Sequence, residues 1–144
     1  MASRHQPKLS PEVWRGSHAP SLADIEALGL ESFARLPKGL RDLAQDVLIR
    51  VEDFPSADVM RDMDAGEFDL LGLFHGTGLA HAGAVPETLQ MPNTVFLYRR
   101  AILDYWAEHH ESLGAIVTHV LVHEIGHHFG LSDADMDAIT GPSP

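Results

Sequence analysis

LGAIVTHVLVHEIGHHFGLSDADMD, residues 113–137, sets three histidines and a glutamate inside an apolar run and follows them with a further histidine, a glycine and three aspartates. Leu113, Ile116, Val117, Val120, Leu121 and Ile125 recur at intervals of three and four, the period that lines apolar side chains along a buried helix. A helix of about 17 residues over Leu113–Phe129 follows. His123 and His127 lie four apart on it, so one turn brings both imidazoles to the same side, while Glu124 projects about 100° around the axis.

Two helical histidines flanking a glutamate form the H-E-x-x-H arrangement, in which the imidazoles hold zinc and the carboxylate acts as general base on an activated water. A glutamate beside the first histidine reaches that water without competing for the metal. The pair needs a third ligand. No glutamate occurs after Glu124, so only aspartates remain downstream. Gly130 stands where the helix must stop, and glycine readily takes the left-handed conformation that turns a chain out of a helix. Asp133 then returns toward the pair and completes H-E-x-x-H-x-x-G-x-x-D. Asp135 and Asp137 are rivals, although Ser132 and Asp135 also match a capping pattern that opens a short last helix. His119, one turn before His123, is no ligand by spacing: residues at i, i+4 and i+8 span about 12 Å of axis. Packing explains it better, and the same holds for His128, Tyr98 and Tyr105. Met136 follows the motif too closely to form a methionine turn beneath a metal.

Composition narrows the chemistry. The chain has 144 residues, enough for one domain with a real core, and 44% of them are hydrophobic. A net charge of −11, from 21 acidic against 10 basic residues, disfavours nucleic acid and anionic membranes as partners. There is no cysteine, so any metal must be held by imidazole and carboxylate. Zinc suits that donor set; iron, nickel and manganese also accept it. The N-terminus shows no apolar signal region, and no uncharged run is long enough to span a bilayer, so a cytoplasmic location is expected.

Gly and Pro punctuate the rest. Residues 1–20 read as a flexible lead and 21–144 as a single domain. Ser21 caps a helix whose register includes Leu22, Ile25, Leu28 or Gly29, and Phe33, and Pro37 ends it. DVLIRVEDFP alternates as a half-buried strand. SADVMRDMDAG is a loop or one short helix, and EFDLLGLFHGTG a second strand in which Gly72 marks a bulge or a close backbone approach. A long connection from Gly76 to Asn93 follows, then a third strand, TVFLYRR, and a helix, AILDYWAEHHES. Long connections of this kind often cover a site. His75, His81, His109 and His110 have no role that spacing assigns.

LPKGLRDL, LLGLFHGTGL, PNTVFLYRRAIL and VHEIGHHFGLSDADMD together resemble the minimal zincin family of small bacterial metallopeptidase-like proteins, over Ser21 to Ile139. The resemblance implies a compact α+β fold with a small mixed sheet packed against helices, including the motif helix. It implies one zinc ion held by His123, His127 and Asp133, with Glu124 catalytic, and it implies no particular substrate. His75 departs from the acidic residue that relatives often carry there. The expected activity is that of a zinc-dependent peptidase cleaving peptide or protein substrates, with FDLLGLFHG as the edge strand on which a peptide lies. The alternative is a metal-binding interaction or regulatory module without proteolysis, with a protein partner. A metal-dependent ribonuclease fits poorly, because that type uses a third histidine and lacks the helix glutamate.

Overall fold

The computed structural model of the protein describes residues 9–76 and 92–140. Among these, seven helices accompany one three-stranded mixed sheet, an α+β architecture. The connection expected to border a cleft falls, at 77–91, outside the described residues, as does His81. None of the described helices is long and apolar enough to cross a membrane.

Local signals account for most element ends. A short helix, α1 (Pro11–Arg15), lies in the lead segment, with Ser10 accepting from Val13 N. α2 (Leu22–Ala34) opens on a full capping box, in which Ser21 and Asp24 bond each other's backbone N–H. It buries Ile25, Gly29 and Ser32, whereas Leu22 is exposed and lies outside the register expected for it. α3 (Lys38–Leu43) follows Pro37 directly, an element that the sequence reading did not anticipate. SADVMRDMDAG resolves into a helix, α4 (Ala57–Asp62), capped by Ser56.

The strands are β1 (Leu48–Glu52), β2 (Gly72–His75) and β3 (Thr94–Tyr98). β3 is central, parallel to β1 and antiparallel to β2, so β2 is an edge. β2 is shorter than expected because Asp69 folds its own approach into a turn, its carboxylate taking Gly66 N at 2.7 Å. Gly72 pairs with Leu97 in unbroken register, so it marks no bulge. It marks a close approach: a Cβ there would stand 2.6 Å from Val120 Cγ1 and 2.8 Å from the Phe96 carbonyl oxygen. The third strand gives way to α5 (Arg99–Glu108) two residues earlier than its apolar pattern suggested. Arg99 is held there by Asp53 at 2.9 Å and by the Pro20 carbonyl.

α6 (Leu113–His128) carries the motif and forms the spine of the core. It packs against α2 and across β2 and β3, while α2 covers β1. Ile116, Val117, Val120, Leu121, Val122 and Ile125 of α6 are all buried, meeting Val95 and Leu97 of the central strand and Ile25 of α2 within one cluster. The opposite face of the sheet carries Phe96 and Tyr98, whose rings are stacked. α7 (Asp133–Thr140) completes the chain as described and lies back on α6.

Candidate metal and catalytic site

The motif helix ends as its glycine requires. Gly130 has φ +80°, Leu131 N bonds the Gly126 carbonyl at 2.8 Å, and Gly130 N bonds the His127 carbonyl at 3.2 Å. This is the paired bonding of a Schellman turn. The chain reverses and starts α7 at once, with Ser132 and Asp135 forming reciprocal backbone bonds of 3.2 and 3.0 Å. Asp135 is thereby committed to the cap. A second glycine permits the reversal to close, since a Cβ on Gly126 would meet Met136 Sδ at 2.5 Å. Met136 is wholly buried in the gap that Gly126 leaves. It acts as packing between the two helices, a role that its position after the motif did not reveal.

This fold brings the motif residues together in part. The rings of His123 and His127 stand with centroids 5.7 Å apart and perpendicular, and His127 Nε2 lies 3.7 Å from Asp133 Oδ1. His123 Nε2 is buried and has no hydrogen-bond partner. Burial, with the neighbouring His119 and His127, lowers the His123 pKa, while Asp137 and Asp133 oppose that shift. Both aspartates therefore direct their charge at this ring, and they lie one turn apart on α7. Among the described residues, no three His, Asp or Glu side chains already stand together at coordinating distance. Asp133 has 86% of its side chain exposed and His127 59%, so both are free to turn.

The donor set fits zinc in kind: two imidazoles on one helix face, one of them a buried nitrogen without a partner, and a carboxylate facing the other. His119 stacks on His123 with centroids 4.0 Å apart, which explains it as a ring that fixes its neighbour's plane.

Glu124 turns away from the ladder of histidines to the sheet, where its Oε1 accepts from Phe74 N at 3.1 Å. In the antiparallel register Tyr98 N bonds Leu71 O, so the backbone groups of Gly72 and Phe74 point away from β3 and toward the free edge. Glu124 therefore sits at the exposed edge of β2. Burial raises its pKa, against the opposing effects of the Phe74 bond and His127. Phe74 also stacks on His128 at 3.8 Å, binding the edge strand to the end of the motif helix. Periodicity alone could not reveal these long-range contacts, because they join residues about fifty positions apart.

The remaining candidates are occupied elsewhere. Tyr105 bonds Glu111 at 3.2 Å and stacks on His109, whose Nδ1 lies 2.8 Å from the Tyr105 carbonyl. Tyr98 is buried on the sheet, where burial, with the charges of Glu52 and Glu124, pushes its phenol up to about 12. His75 is exposed at the end of β2, against the edge of the Phe96 ring.

Curated proteins yield no significant match to the chain. A family model described as zincin-like metallopeptidase matches residues 44–142. The match spans the whole sheet, the motif helix and α7, and leaves α2 outside it although α2 packs on α6. On this match, covering more than half of its length, the chain belongs to the zincin-like metallopeptidase family.

Proposed function

We propose that the protein is a zinc-dependent peptidase in which His123, His127 and Asp133 hold the metal and Glu124 moves the proton. The observation that carries this reading is the place of Glu124, a half-buried carboxylate whose Oε1 meets an outward-facing N–H of the edge strand while its neighbour His123 keeps a buried nitrogen free. When bound, zinc supplies Lewis acidity, polarising a carbonyl and lowering the pKa of water. The chain's own residues do the rest. The raised pKa of Glu124 makes its carboxylate a stronger proton acceptor than a solvated glutamate, and the Phe74 bond fixes its direction. A peptide laid along β2 finds the backbone groups of Gly72 and the Phe74 carbonyl pointing outward, while the Phe74 N–H holds Glu124 beside the added strand. His119 steadies His123 by stacking on its ring, and Asp137 adds a nearby negative charge.

The test is the Glu124→Gln variant, with zinc content and hydrolysis of a peptide library measured side by side. It should keep the metal and the fold and lose on the order of 10²- to 10⁴-fold in rate, the usual contribution of a general base. Cleavage as fast as that of the unchanged protein would sink the assignment. Zinc binding without cleavage of any peptide by the unchanged protein would favour the non-proteolytic binding module.

A further inference from the structure

A cavity of about 440 Å³ opens on the face of the sheet opposite α6, between α4 and the β2–β3 edge. Val59 and Met63 of α4, with Leu73 and Phe96 of the strands, give it an apolar floor, and Asp58 and Asp62 stand on its rim. It is linked to Glu124 through Phe74, which both lines it and donates its N–H to the carboxylate. Leu73 and Phe96 are directly paired, so their side chains share this face. In a strand added to the free edge, the residue opposite Leu73 sends its side chain to the same face. That is the face on which the cavity opens.

Charge decides what kind of side chain it is. Of the side chains lining the cavity, Asp58 and Asp62 are acidic and none is a lysine or arginine. Arg61 is paired with Asp58 at 2.7 Å, whereas Asp62 has no ion-pair partner among the described residues. The ring of Phe96 already draws one guanidinium, that of Arg50, to 6.0 Å. A long aliphatic stem with a cationic end matches both the floor and the rim. Acidic side chains meet repulsion.

We propose that this cavity is a side-chain subsite for an arginine or lysine of an extended peptide lying on β2, within two residues of the bond presented to Glu124. The proposal rests on the peptidase reading for the peptide's position, and its test separates the two. The zinc-loaded Glu124→Gln protein is titrated by NMR with alanine-based peptides that differ at one central residue: arginine, lysine, norleucine or glutamate. The basic peptides should bind about two- to fivefold more tightly than the norleucine peptide, the range for a half-exposed ion pair. The glutamate peptide should be weakest, and shifts should centre on Val59, Met63 and Leu73. Asp62→Asn should remove the basic advantage and leave norleucine binding unchanged. Equal affinities, an advantage that survives Asp62→Asn, or no binding of any peptide would overturn the subsite. Hydrolysis of the same peptides by the unchanged zinc-loaded protein is followed by mass spectrometry. Cleavage without preference for a basic residue overturns the subsite and keeps the peptidase. Binding that depends on arginine, without cleavage, keeps the subsite and overturns the peptidase.

Discussion

Replacing Gly72 with alanine tests whether the edge strand is held against the motif helix by contact with no room to spare. The added Cβ would lie 2.6 Å from Val120 Cγ1 and 2.8 Å from the Phe96 carbonyl, both far inside contact distance. The second partner is backbone in the neighbouring strand and cannot rotate away. Overpacking of this kind costs about 1–3 kcal/mol, and the rigid carbonyl places Gly72→Ala in the upper half of that range. Alanine returns about 0.4–1 kcal/mol by restricting the unfolded chain. A net loss of about 1.5–2 kcal/mol remains, which lowers Tm by roughly 4–8 °C in a domain of this size. Urea unfolding of the metal-free protein, followed by circular dichroism, measures it directly. Val120→Ala removes one of the two clashes, so the double mutant should show favourable coupling of about 1 kcal/mol. A Gly72→Ala protein within about 0.5 kcal/mol of the original, or a cycle with no coupling, would show that β2 and α6 are loosely packed, and the reasoning would fail.

Asp133→Ala should abolish tight zinc binding measured by competition with a chromogenic chelator, while Asp135→Ala, which removes only a cap, should leave it near its original value and cost about 1 kcal/mol of stability. Asp137→Asn should weaken zinc less than Asp133→Ala; the reverse order would transfer the ligand role to Asp137. Gly126→Ala should lower zinc affinity by pushing Met136 out of its gap, and Met136→Ala in the same chain should restore part of it; unchanged affinity in Gly126→Ala would contradict this. Burial holds His123 and His128 below their ordinary 6.5, so near that pH the unfolded chain takes up protons that the folded one refuses, and the metal-free protein should lose stability as pH falls through about 6.5. Glu124, raised above its ordinary 4.5 by burial, works in the opposite sense, so the titration is read in Glu124→Gln; a flat profile between about pH 7.5 and 5.5 would refute the assignment.

The parts legible in the sequence were those governed by local rules. Helical periodicity located α6 to within a residue of its end, Ser21 and Ser132 announced their caps, and Gly130 announced its left-handed turn. Of the two readings of Gly72, the close approach was found and the bulge was not, and the alternation in DVLIRVEDFP matched a half-buried edge. What the sequence hid depended on partners distant in the chain. The apolar run at EFDLLGLFH looked like one strand because nothing local shows that Asp69 would bond Gly66 and cut it short. The Glu124–Phe74 bond, the Phe74–His128 stack and the seat of Met136 against Gly126 each need the tertiary fold before they can be seen.

The last helix has only eight residues, and isolated helices shorter than about 12–15 residues are barely stable in water. α7 borrows its order from Gly126, from the Schellman turn and from a two-residue cap. With Asp133 as the proposed metal ligand on such an element, ion affinity and helix docking become two readings of one free energy. Each strengthens the other by the same amount. Chelation should therefore speed amide exchange along Asp133–Thr140 before it disturbs the sheet, and a molecule that grips the outer face of α7 would tighten the hold on zinc without touching a single ligand.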